Sequence, residues 1–191
     1  MSLISSSDCS ILFVQPTKQH LSQLDDHDRD RLPRRMQLVN AAAATAGAPC
    51  HLLTDCQDTS SVDWLAAPGT SQEQCIHRIA DVGPSWPNSG LAASLGAHNR
   101  SILIVSGFWL ETSVSFIALS ALWGGFDVFV LLDTTPSLVK DTRGPSCDRL
   151  VQAGVVPSTT HQLIAEWIEQ SSDAGLRTRL SDLHGLSANV P

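Results

Sequence analysis

The sequence predicts a three-layer α/β/α sandwich on a mostly parallel, doubly wound six-stranded sheet. Three observations carry this. The stretch Ser101 to Pro136 reads strand, glycine turn, apolar helix, Gly124-Gly125 stop, strand. That order is a βαβ crossover, which joins parallel strands. Short apolar runs alternate with helical stretches along most of the chain. The runs are continuously apolar, as in strands buried on both faces.

In chain order, residues 1–9 form a polar lead-in. Ser10 to Gln15 is a first strand, bounded by Pro16. His20 to Arg31 is dense in charge and reads as a solvated loop and helix start. Leu32 to Ala46 is a helix with Pro33 in its first turn, an alanine run, and Gly47 as its stop. Pro49 to Thr54 is a second strand. Residues 55–75 form a long polar loop, and Cys75 to Val82 a weak third strand. Asn88 or Ser89 caps a short helix reaching His98. Ile102 to Val105 and Val128 to Leu132 are the fourth and fifth strands, with the helix from Val114 to Trp123 between them. Leu138 to Ser146 is a loop, and Cys147 to Gln152 a helix stopped by Gly154. Val155-Val156 is a last strand, followed by a helix from His161 to Gln170 capped by Thr159 or Thr160. Residues 171–191 are polar and read as a partly ordered tail. The whole is one domain, 1–191, with 1–9 and about 172–191 as peripheral tails.

At 191 residues, 42% of them hydrophobic and 16% charged, the chain can bury a substantial core. Its net charge of −7 disfavours nucleic acid and anionic membranes. The low charge agrees with surface covered in a homo-oligomer. Five cysteines are scattered without CxxC spacing, and the first residues lack the basic flank and apolar core of an export signal. Reduced thiols in the cytoplasm are the expectation. No apolar run approaches the length of a membrane span.

In parallel sheets ligands sit beyond the C-terminal ends of the strands, so Gly107 to Ser113 is the expected site. Its residues carry a resemblance. Gly107-Phe108-Trp109-x-Glu111-x-Ser113-Val114, then Leu119-Ser120-Ala121-Leu122, Gly125-Phe126-x-Val128 and Asp133, resemble the isochorismatase-like (cysteine hydrolase) superfamily. The pattern there runs roughly G-L-W-T-E-x-C-V, L-S-A-L, G-Y-x-V and D. Arg149 to Pro157, followed by Glu166-Trp167, resembles that family's last strand and helix. The likeness covers about residues 100–170; before them it rests on strand positions and on Trp86, which stands where the family has N-A-W.

The resemblance implies strand order 3-2-1-4-5-6, with the first and fourth strands adjacent, and an oligomer. A flavodoxin-like module would instead show 2-1-3-4-5. It also implies a hydrolase triad: an aspartate ending the first strand, a lysine near the third, and a cysteine opening the helix after the fourth. The thiolate attacks a carbonyl carbon, the carboxylate shuttles the proton, and the lysine lowers the thiol pKa. Carried over position by position, Gln15 stands at the aspartate and Ser113 at the cysteine. No lysine lies near the third strand, because Lys18 and Lys140 are the only two in the chain.

A serine needs a base to attack at neutral pH, and a carboxamide does not titrate. Ser113 therefore reads either as a nucleophile or, with Thr112, as a helix cap. Gln15 reads as a ligand-binding amide or as a neutral substitute for a buried carboxylate that would lack its cation. Gly107, Phe108, Trp109, Glu111, Thr112 and Trp86 are the expected ligand contacts. The plainer roles are core packing for Phe108 and Trp109, a dipole-stabilised first-turn acid for Glu111, and loop capping for Asp133.

Some relatives hold zinc with an aspartate and two histidines after the second strand. Here Asp55 is followed by Gln57 and Ser61, so no metal and no cofactor are expected. Cys56 and the Cys75-x-His77 pair read as ordinary side chains. Two functions remain: a non-catalytic protein binding a small molecule or a partner subunit, or a divergent hydrolase of a small amide, imide or enol ether. The second would use Ser113, or a water oriented by Gln15, Glu111 and the helix N-terminus.

Overall fold

The structure is a computed structural model that describes residues 3–55, 59–66, 74–78 and 90–188. A six-stranded sheet in the order β3-β2-β1-β4-β5-β6 forms its centre, and every strand pair is parallel. The strands are β1 (Cys9–Val14), β2 (Cys50–Leu53), β3 (Gln74–His77), β4 (Ile102–Gly107), β5 (Asp127–Leu131) and β6 (Val156–Ser158). This is the order implied by the resemblance, and it excludes the flavodoxin-like alternative.

Alternate residues of each strand serve opposite faces, which gives two cores. Ile11, Phe13, Leu52, Ile104 and Phe129 pack under α2 (Asp26–Ala46), α6 (Thr160–Gln170) and α7 (Ala174–Ala188). Leu12, Val14, Leu53, Val105 and Val130 pack under α3 (Gly90–Ala97), α4 (Ser115–Trp123) and α5 (Arg143–Ala153). Burial on both faces is why residues 11–14 of β1, 102–105 of β4 and 128–131 of β5 read as unbroken apolar runs.

Several expectations are corrected. The lead-in is packed rather than peripheral: Ile4 is 3% exposed, and its N–H donates to Glu166 Oε2 at 2.9 Å. The helix expected from Leu32 begins at Asp26, because Asp25 caps it by accepting from Asp28 N at 2.9 Å. Asp26 and Asp28 then favour its first turn, and Pro33 falls in the helix interior. The expected loop to Ser146 turns helical at Arg143. The expected tail forms α7, with Leu180 fully buried against α6 and Leu176 and Leu183 beside it. The strand expected to reach Val82 is described as Gln74–His77. Its continuation, the caps Asn88 and Ser89, Trp86 and Cys56 lie outside the described residues.

Candidate functional site

β1 and β4 lie side by side in register, Val14 opposite Gly107, and Phe108 N donates to Val14 O at 2.9 Å. Gln15 and the turn carrying Ser113 therefore leave the sheet together at the point where the strand order reverses. Gly107 has φ +130°, and an added Cβ would collide with the Val14 backbone. Only glycine lets the two strand ends approach this closely.

Gln15 turns the chain with φ +53° and is 8% exposed. Its carboxamide grips the end of β2 both ways. Nε2 donates to Asp55 Oδ2 at 3.2 Å, and Asp55 N donates to Oε1 at 3.3 Å. The amide thus neither titrates nor stands free.

Beyond Gly107 the Phe108–Trp109 peptide bond is cis. Phe108 is fully buried and Trp109 is 8% exposed. The next residues form a single π-helical turn, Leu110–Val114, which runs directly into α4. This corrects the capping role expected of Thr112 or Ser113. The N-cap is Trp109, with no side-chain cap bond, and Ser113 sits inside the widened turn. Ser115 is the hydroxyl that closes the turn, donating to Leu110 O. Ser113 is half-buried, and its hydroxyl bonds no described residue. No carboxylate or imidazole among the described residues is placed to take its proton.

Glu111 and Thr112 belong elsewhere. They line an open groove of about 450 Å3 with Phe116, Leu119, Trp123 and Arg149. Glu111 Oε1 accepts from Val139 N at 2.9 Å, while its Oε2 is buried with no partner among the described residues. Asp133 caps as expected, accepting from Thr160 N at 2.9 Å and Thr160 Oγ1 at 3.2 Å.

The structure adds His20 to this edge. Thr17 caps α1 (Lys18–Ser22), and its Oγ1 lies 2.7 Å from His20 Nδ1. The imidazole rests on Phe108 and Trp109, with ring centroids 5.6 and 6.0 Å away. Burial lowers its pKa below 6.5, and the nearby Asp55 carboxylate pulls the other way. Net lowering leaves a neutral ring at pH 7. Trp64 Nε1 closes the same side by donating to Pro16 O at 2.9 Å. His20 was hidden in a charge-dense stretch; the local signal was the Thr17-x-x-His20 cap following Pro16.

A second histidine group lies under α3. His51 is fully buried on β2, with Nδ1 at 3.2 Å from His77 Nε2 and its ring edge-on to His98. Burial, then the two neighbouring rings, push its pKa down to about 4. Among the described residues no group of three or more His, Cys, Asp or Glu side chains is arranged to hold a metal, and no helix is long and apolar enough to cross a membrane.

The fold has counterparts among known proteins. No family model matches the chain. YcaC of Escherichia coli strain K12, a probable hydrolase, is 29% identical over 153 residues, covering 79% of this chain and 73% of that protein. The crystal structure of E. coli YcaC, an octameric hydrolase of unknown specificity, superposes with TM-score 0.78 at 23% identity, over 99% of this chain and 94% of that one. The MAR1 ribonuclease of Caenorhabditis elegans gives TM-score 0.77 at 14% identity, over 95% and 92%. An isochorismatase of Pseudomonas putida gives 0.65 at 17%, over 85% and 93%. The chain is thus similar in sequence to one probable hydrolase, and it shares the fold of YcaC and of isochorismatase-like proteins.

Proposed function

We propose that the protein is an isochorismatase-like subunit without the family's cysteine-hydrolase chemistry, binding a small molecule or a partner subunit at the β1–β4 edge. One observation carries this reading. Gln15, at the position the resemblance gives to the acid, is bound to Asp55, and Ser113, at the position of the thiol, has no acid or imidazole beside it among the described residues. The hydroxyl then lacks a base and the amide cannot become one. What survives is a binding edge at the start of the helix, flanked by the ring faces of His20 and Trp109.

The test is a panel of amide, imide and vinyl-ether substrates given to wild type and to Ser113→Ala. Neither protein should turn any of them over. Turnover by the wild type that vanishes in the variant would overturn the proposal.

His20 favours one alternative, a divergent hydrolase of such substrates. A neutral imidazole near Asp55 has the protonation state of a general base at pH 7. Activity that survives Ser113→Ala and is lost in His20→Gln would select this reading, with an oriented water as nucleophile.

Self-association and a cytoplasmic location belong to the same proposal. The octameric state of E. coli YcaC supports the first, as do Trp123, 77% exposed, and Phe116, 53% exposed, on one side of α4. Light scattering on the purified chain, where a monomer would refute it, is the test. Cys9, Cys50, Cys75 and Cys147 form no disulfide, which supports a reducing compartment.

A further inference from the structure

A cavity of about 530 Å3 lies between the N-terminal half of α2 and the connection that follows β5. Small-molecule sites run from ~300 to 1,000 Å3. Neither Gln15 nor Ser113 lines it. Its walls carry four cationic side chains, Arg31, Arg35, Lys140 and Arg143, and two anionic ones, Asp28 and Asp133. The lining is therefore net positive in a chain whose net charge is −7.

Both carboxylates are already engaged. Asp133 accepts from Thr160 and faces Arg35 at 3.7 Å, and Asp28 holds Arg31 at 3.3 Å. Lys140 reaches Asp25 at 3.0 Å, on an exposed rim. Arg143 is different. Its guanidinium donates to Thr135 O at 2.7 Å and Leu132 O at 2.6 Å, two neutral carbonyls. Those bonds fix the cation in the wall without neutralising it, and a guanidinium has five N–H donors. Arg35 is held loosely, because 3.7 Å is longer than a hydrogen bond.

An independent observation concerns the hydroxyls of the same wall. Thr135 is fully buried, and its Oγ1 has no partner among the described residues; Ser137 Oγ is in the same condition. Buried hydroxyls are normally paired, and leaving one unpaired is unfavourable. A single rotamer step about χ1 can aim such a hydroxyl at a new acceptor.

We propose that this cavity binds a small molecule through a doubly charged oxyanion group, either a phosphoryl group or paired carboxylates. Arg31, Arg35 and Arg143 supply the charge and the forked N–H geometry that such oxygens accept. Thr135 and Ser137 supply the hydroxyl donors. The site is separate from the β1–β4 edge, so Ser113→Ala leaves its binding unchanged, and it stands or falls apart from the proposed function.

The test is calorimetric titration at low salt with inorganic phosphate, phenyl phosphate and succinate, on wild type, Arg31→Gln, Thr135→Val and, as a control, the exposed Arg34→Gln. Wild type should bind at least one probe saturably at one site per chain. Tighter phosphates assign a phosphoryl group, and tighter succinate assigns paired carboxylates. Arg31→Gln should weaken binding about tenfold, the scale of one lost charge-assisted contact. Thr135→Val should weaken it severalfold while melting no lower than wild type, because the variant removes an unpaired buried hydroxyl. That combination keeps the test alive if Arg31→Gln fails to fold. Three results overturn the proposal. One is no saturable heat up to about 10 mM of any probe. Another is binding untouched by Arg31→Gln and Thr135→Val, an adventitious ion only. The last is an equal loss in Arg34→Gln, which marks non-specific charge attraction.

Discussion

Replacing Gly107 by alanine tests the close approach that brings the two strand ends together. The residue has φ +130°, a conformation L side chains rarely adopt. The added Cβ would lie 2.7 Å from Val14 N and 2.8 Å from Val14 C, and nearer still to Val14 O. All three are backbone atoms of the neighbouring strand, so no rotamer change relieves them. Leaving the glycine-only conformation costs about 1–2 kcal/mol. Forcing β1 and β4 apart costs about 1–3 kcal/mol more, the range for overpacked cores. The expected loss is about 4 kcal/mol in total. At about 2–4 °C per kcal/mol for a chain of this size, the melting temperature should fall by about 8–16 °C. Scanning calorimetry and urea unfolding on the same samples measure it. A variant melting within about 2 °C of wild type would show that the strands do not meet as described.

Three further outcomes are expected. Gln15→Asp sets a second carboxylate against Asp55 and removes the Nε2 donor; stability should drop by about 1–2 kcal/mol at pH 7 and recover toward pH 4 as one acid protonates, read by urea unfolding at both pH values. His51 holds a folded-state pKa of about 4 against an ordinary 6.5, so the unfolded chain takes the proton first. Its contribution is whole above pH 6.5 and lost as pH falls toward 4, about 3 kcal/mol in all; His51→Gln should flatten that part of the pH–stability curve, and an unchanged curve would contradict the burial. Asp133→Ala uncaps Thr160 N and leaves Arg35 without its carboxylate, which should destabilise the fold by about 1–3 kcal/mol in denaturant titrations while leaving the slope with urea unchanged.

The sheet was legible because its central strands β1, β4 and β5 carry continuous apolar runs, and because Ser101 to Pro136 is a complete crossover. Its order came from the resemblance, since pattern alone does not choose among doubly wound topologies. The missed elements have particular causes. The last helix looked like a tail because its polar content masks Leu176, Leu180 and Leu183, whose spacing of four and three residues marks one helical face. The early start of α2 was written in Asp25, yet a dense charge run was read as solvent-facing. At the site, the identities of Gln15 and Ser113 could be read, but their partners could not. The Asp55 clasp and the seat of His20 on Phe108 and Trp109 depend on the tertiary approach of segments far apart in the chain. Nor does local composition signal a π-helical turn in place of a capped start.

The connection after β5 joins parts of the molecule that the sequence keeps far apart. Pro136 O accepts from Leu110 N, Val139 N donates to Glu111, and Lys140 reaches Asp25 at the head of α2. The same connection walls the cationic cavity and steadies the first turn of the helix bearing Ser113. A ligand in the cavity and a ligand at the edge would each meet this one connection. Thermodynamic reciprocity then fixes the size of the effect: whatever factor an oxyanion in the cavity applies to affinity at the β1–β4 edge, a ligand at that edge must return to the cavity.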